Sequence, residues 1–139
     1  MLRILVVDDE PDVEALFRQQ FRRELRDGQC VMDFALSAEA ALLKLDEAVA
    51  GEIILLVSDI NMPGMSGLDL LPLVKARRPD LPVFMISAYG DGATMAQAAA
   101  RGASKFLTKP VDFPGLKREV GAVLASVRGM APPPAPGVT

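Results

Sequence analysis

The chain has 139 residues, half of them hydrophobic, with 15 Lys and Arg against 18 Asp and Glu. That length suits one domain with a real core, and the mildly acidic balance offers no general electrostatic basis for binding nucleic acid. The absence of histidine and the single cysteine, Cys30, exclude Ser-His-Asp and Cys-His catalysis, histidine- or cysteine-based zinc sites and an internal disulfide.

In chain order, short apolar runs alternate with helical patterns. The opening MLRILVVDDE holds an apolar stretch of six residues, too short for a signal peptide, and reads as a strand over 2–7. Pro11 opens an amphipathic helix carrying Val13, Leu16, Phe17 and Phe21 and closing at Asp27-Gly28. A second strand spans 30–35. Ser37 then caps a helix over 38–50 with Ala41, Leu42, Leu45 and Val49 on one side. The third strand, 53–58, runs straight into Asp59. A helix follows over 67–77, and Pro72 within it predicts a kink or a separate first turn at 67–71. The fourth strand covers 82–86. An alanine-rich helix spans 92–101 with Gly102 as its left-handed cap, and the fifth strand covers 104–108. Asp112 caps a last helix with the stripe Leu116, Val120, Val123, Leu124 and Val127.

Five strands alternating with five helices, the strands continuously apolar, predict a doubly wound α/β fold around a parallel sheet of order 2-1-3-4-5, flavodoxin-like in class. The domain is expected to occupy 1–128. The remainder, 129–139, is proline-rich and reads as a linker or disordered tail. No run approaches the roughly 20 apolar residues of a membrane span, so a soluble, cytoplasmic protein is expected.

Ligands of open α/β sheets lie beyond the carboxyl ends of the strands. The residues there are Asp8-Asp9-Glu10, Asp59-Ile60-Asn61, Ser87-Ala88 and Lys109-Pro110. Three converging aspartates cannot all stay ionised unaided, and one lysine compensates only part of their charge. A hard divalent cation with oxygen ligands, Mg²⁺, suits the set better. Such a site supports attack of a carboxylate on phosphorus, with Lys109 and the Ser87 hydroxyl on the phosphoryl oxygens. Singly, each residue has a plainer role: Asp59 a cap, Asp8-Asp9 a solvated turn, Ser87 and Lys109 surface groups. Their arrival at four strand ends of one sheet favours the shared site.

The stretches ILVVDDEPDV (4–13), LVSDINMPGMSGLDLL (56–71), MISAYG (85–90) and FLTKP (106–110) resemble the response-regulator receiver domains of two-component signalling, the CheY-like family. The resemblance implies that Asp59 is the phosphoacceptor. It implies Mg²⁺ on Asp9, Asp59 and the backbone carbonyl of Asn61, with Asp8 acting through a metal-bound water. It makes Ser87 and Lys109 the phosphoryl-binding pair, Phe106 the aromatic switch residue in place of the tyrosine many members carry, and Pro110 a cis-proline. Tyr89, beside the site, would influence access by phosphodonor or water.

The implied function is a switch, not an enzyme, beyond intrinsic Mg²⁺-dependent self-phosphorylation and dephosphorylation. The implied donor is a histidine kinase or phosphotransfer protein. The charge-poor helix 92–101 with the fifth strand and last helix would form a homodimer or effector surface, and the proline-rich tail fits either a stand-alone receiver or the front piece of a longer regulator with an output domain. Direct contact with nucleic acid or membrane is not expected. The arginines at 18, 22, 23 and 26 read as a solvated helix face. A haloacid-dehalogenase-type phosphatase would need an acid where Asn61 stands. A flavin or nucleotide module would need a Gly/Ser/Thr-rich loop where Asp8-Asp9-Glu10 would repel phosphate. A degenerate receiver that only binds proteins is at odds with the complete acidic site.

Overall fold

The computed structural model describes residues 2–49 and 51–127. The tail expected over 129–139 lies outside them. Strands β1 (Arg3–Val7), β2 (Val31–Ala35), β3 (Ile53–Asp59), β4 (Val83–Ser87) and β5 (Lys105–Thr108) form a parallel sheet in the order β2-β1-β3-β4-β5. The expected fold class and strand order are therefore observed. Helices α1 (Asp12–Gln20), α2 (Arg22–Arg26), α3 (Ala38–Glu47), α4 (Gly67–Arg77), α5 (Gly92–Ala100) and α6 (Phe113–Val127) connect the strands.

The core has two layers, one on each face of the sheet. Leu5, Val7, Leu56, Val83 and Met85 pack against Ala41 and Leu45 of α3, Leu71 and Val74 of α4 and Ala98 of α5. Ile4, Val6, Val57, Phe84 and Ile86 pack against Phe17 of α1 and Leu116, Val120 and Leu124 of α6. Burial on both faces is why the strands read as unbroken apolar runs. Every residue of the central β3 is buried, Asp59 included.

A bulge in β3 sets the phase of its side chains. The pairing with β1 steps from Arg3↔Ile53 to Ile4↔Leu55, which leaves Ile54 as the extra residue. Ile54 and Leu55, though consecutive, therefore belong to the same core layer. From Leu55 onward alternation resumes in step with β1 and reaches Val7↔Ser58. The next residues along the two strands are Asp8 and Asp59, on the side of the sheet covered by α1 and α6.

Four expectations change. The single helix expected from Pro11 to Asp27 is two, because Phe21 leaves helical geometry at φ −102°, ψ 20°, which makes six helices instead of five among the described residues. The bend accompanies burial of Phe21, whose ring stacks on Phe17 at 6.1 Å and meets Phe113 edge-on at 6.5 Å. Leu16 and Val127, expected in the core stripes of their helices, are instead exposed. Val49 is 65% exposed because α3 ends at Glu47 and Ala48 turns extended.

Pro72 is the fourth. Of the kink or separate first turn expected there, the separate turn is absent, because helix α4 runs without a break through Pro72. The proline removes the bond that the Leu68 carbonyl would have accepted. That carbonyl instead accepts from Arg101 Nη1 at 2.7 Å, an arginine that also lies 3.8 Å from Asp69. A guanidinium from the end of α5 thus replaces the lost helical bond. Replacing Arg101 with methionine is expected to cost about 1 kcal/mol, a charge-assisted bond at a partly exposed site. In a Pro72→Ala background, where the substituted residue supplies the helical N–H, the loss should shrink. Urea midpoints of the four proteins measure this, and equal losses in both backgrounds would refute it.

Other local expectations hold. Ser37 caps α3, its hydroxyl accepting from the Ala40 N–H at 3.0 Å. Helix α5 ends in a Schellman arrangement: the Ala103 N–H donates to Ala98 O at 2.9 Å, the Gly102 N–H to Ala99 O at 3.1 Å, and Gly102 has φ +105°. The Asp112 carbonyl accepts from the Leu116 N–H at 2.9 Å, which places Asp112 at the start of α6. Among the described residues no helix is long and apolar enough to cross a membrane.

Candidate functional site

The carboxyl ends of β1, β3 and β5 bring together Asp8, Asp9, Asp59 and Lys109. One oxygen from each of the three carboxylates lies within 4.8 Å of the others. Lys109 Nζ stands 3.4 Å from Asp59 Oδ2 and 3.9 Å from Asp8 Oδ2. Short turns hold the acids. The Glu10 N–H donates to Asp8 Oδ1 at 2.9 Å and the Asn61 N–H to Asp59 Oδ1 at 3.3 Å. Asp59 is 3% exposed and Asp8 9%.

Burial is the main influence on both acids, pushing the Asp59 carboxyl above the ordinary carboxylate range. Lys109 and the Asn61 N–H oppose that shift, and the Asp9 charge adds to it. Burial likewise raises Asp8; the Glu10 N–H opposes, and the Asp59 charge reinforces. Three carboxylates facing one ammonium, all donors oxygen and partly desolvated, fit a hard divalent cation.

Ser87, at the end of β4, is fully buried and bonds a different partner. Its hydroxyl donates to Asn61 Oδ1 at 3.1 Å and accepts from the Tyr89 N–H at 3.0 Å. Its carbonyl accepts from the Lys109 N–H at 2.9 Å, tying the ends of β4 and β5 together. The Tyr89 side chain is 63% exposed, so its backbone alone joins this network. Phe106 is half-buried against the core layer beneath α3, α4 and α5, on the opposite face from the side-chain phase of Asp8 and Asp59. The Lys109-Pro110 peptide is cis, as expected.

Two groups escaped the sequence reading. From the sequence, Asn61 matters for its backbone carbonyl and its side chain only for lacking an acid; in the structure that side chain binds Ser87. Gly67 is the second: its N–H donates to Ile60 O at 2.9 Å, and a Cβ there would collide with the Asp59 carbonyl oxygen and lie 2.8 Å from Ile60 Cα. The signal for Gly67 was present in MPGMSG, a glycine at a helix start directly after a strand end. Nothing in the sequence signalled the Asn61–Ser87 bond.

Fold and site together define a flavodoxin-like α/β domain with an acidic, lysine-faced cluster at the switch point of its sheet. The family model for the response regulator receiver domain matches residues 4–121, and the chain belongs to that family. It is a receiver domain of a two-component response regulator, a family of signalling switches whose members generally bind Mg²⁺.

The chain is 37% identical over 123 residues to response regulator protein PilR of Pseudomonas aeruginosa, covering 88% of this chain and 26% of PilR. To two-component response regulator PhoP of the same organism it is 31% identical, covering 92% of this chain and 54% of PhoP. It thus spans 26% and 54% of the length of these two relatives. Among solved structures it resembles response regulator TrrA of Thermotoga maritima in complex with Mg²⁺-BeF, at TM-score 0.74 and 31% identity over 88% of this chain and 99% of that one. A receiver domain protein from Clostridium thermocellum gives TM-score 0.80 and 25% identity over 94% and 100%.

Proposed function

We propose that the domain accepts a phosphoryl group on Asp59 and changes its α5-β5-α6 surface in response. The observation that carries this is the meeting of Asp59 with Lys109 at 3.4 Å inside the three-carboxylate cluster. An Asp59 carboxylate oxygen attacks phosphorus while the bond to the donor breaks and the donor leaves with the electron pair. Lys109 takes one phosphoryl oxygen and compensates its charge; the Ser87 hydroxyl moves to another. Phe106 follows Ser87 inward, and because it has no hydroxyl its position is set by packing alone.

Asp9, Asp59 and the Asn61 backbone carbonyl would hold Mg²⁺, with Asp8 acting through water. Bound there, the ion neutralises phosphoryl oxygens. The donor is a histidine kinase or phosphotransfer protein, since the chain has no histidine. Tyr89, exposed at the rim, affects the access of donor or water. The unit spans 1–128, with 129–139 leading to an output domain of the kind that the greater length of the relatives leaves room for. Homodimerisation through α5-β5-α6 and a cytoplasmic location complete this reading, with no direct contact to nucleic acid.

Incubation with acetyl phosphate and Mg²⁺ should leave one base-labile phosphoryl group, seen by intact mass, and none on Asp59→Asn. No adduct on the wild type, or an undiminished one on the variant, would sink the proposal. Asp9→Asn should weaken Mg²⁺ binding by about tenfold or more, through loss of one charged ligand. An unchanged affinity by calorimetry would remove Asp9 from the ligand set.

A further inference from the structure

Ser87 and Asp59 do not bond each other in this structure, although both stand at strand ends of one site. The Ser87 hydroxyl is committed elsewhere. It has a single proton, which it donates to Asn61 Oδ1 at 3.1 Å, while its oxygen accepts from the Tyr89 N–H at 3.0 Å. Ser87 is 0% exposed, so water offers it little alternative, and a buried hydroxyl without a partner is disfavoured. Asn61 also reaches the other side of the site, because its backbone N–H donates to Asp59 Oδ1 at 3.3 Å.

From these contacts we infer that the Asn61 side chain is a latch that holds Ser87 in the resting position and must release it before Ser87 can bond a phosphoryl group on Asp59. The inference rests on the phosphoacceptor reading and adds a positioning residue to it. One residue touches both ends of the switch: its backbone steadies the carboxylate and its amide oxygen occupies the hydroxyl. Exchange of the Ser87 proton from Asn61 to a phosphoryl oxygen is then the local event. The Tyr89 N–H, bonded to the same oxygen, carries it into the loop before α5. Asn61 is itself exposed, so its amide finds water once Ser87 leaves, and the exchange is not opposed from that side.

Two measurements test this. The chain has one tyrosine and no tryptophan, so intrinsic fluorescence reports Tyr89 alone. In a titration with Mg²⁺ and fluoroberyllate, a phosphoryl mimic, Asn61→Ala should bind the mimic ~3- to 10-fold more tightly than the wild type, one hydrogen bond's worth. In a Ser87→Ala background the same substitution should have no effect, because there is no hydroxyl to hold. In the resting protein, without metal or mimic, the Tyr89 amide should exchange with deuterium faster in Asn61→Ala. The same change in affinity in both backgrounds, or unchanged Tyr89 exchange, overturns the latch while leaving the phosphoacceptor reading intact. A wild type that fails to bind the mimic at all overturns both.

Discussion

Metal-free Asp59→Asn protein is expected to be more stable than the wild type at neutral pH, by on the order of 1–2 kcal/mol, even though the substitution removes the partner of Lys109. Burial is the largest influence on Asp59, and it opposes the charged form. Asparagine keeps the size and an oxygen for the Asn61 N–H while removing one of three crowded negative charges. The loss of the Lys109 contact offsets only part of that gain.

The pH dependence has a definite sign. Asp8 and Asp59 both hold protons more tightly folded than unfolded. Their contribution to stability is therefore complete below the ordinary carboxylate range and is lost as pH rises through their raised folded values. Wild-type stability should climb as pH falls from neutral toward that range, until the remaining carboxylates titrate. Asp59→Asn should climb less, having one such group fewer. Mg²⁺ should act in the opposite sense, stabilising the wild type at neutral pH more than the variant and less well in acid. Urea midpoints at two pH values, with EDTA or Mg²⁺, decide the matter. A less stable metal-free Asp59→Asn would mean that the Lys109 pair outweighs burial.

The second large effect concerns Gly67. An alanine inside a helix is ordinarily worth about 1 kcal/mol more than a glycine. At Gly67 the sign should reverse, with Gly67→Ala costing about 2–3 kcal/mol and Gly67→Val more. The added Cβ meets strand backbone, namely the Asp59 carbonyl and Ile60 Cα, and neither can swing aside like a flexible side chain. Relief requires α4 to lift from β3, which would move the residue that carries the site. The variants should therefore lose phosphoryl acceptance along with stability. A stabilised Gly67→Ala in chemical denaturation would show that α4 has room to spare.

Much of this architecture is legible from local chemistry. Strands flanked by turn residues, a serine at the head of α3 and a glycine at the tail of α5 act within a few residues of themselves, and each is where the sequence predicts it. The bend at Phe21 and the intact helix across Pro72 were not legible. The first answers to a ring packing against Phe113 and the second to an arginine from α5, both distant in the chain.

The same division runs through the site. Which acids, hydroxyl and lysine end the strands can be read from the chain alone, because an apolar run that stops at a polar or charged residue is a local pattern. Which of them share a side, and which partner each holds, follows from the folded arrangement of the strands. One extra residue at Ile54 sets the phase of β3 against β1, and a shift of one residue would turn Asp59 to the opposite face. The bond from Ser87 to Asn61 joins residues 26 apart in the chain. Neither is written in any local pattern, since both depend on how two strands align after folding.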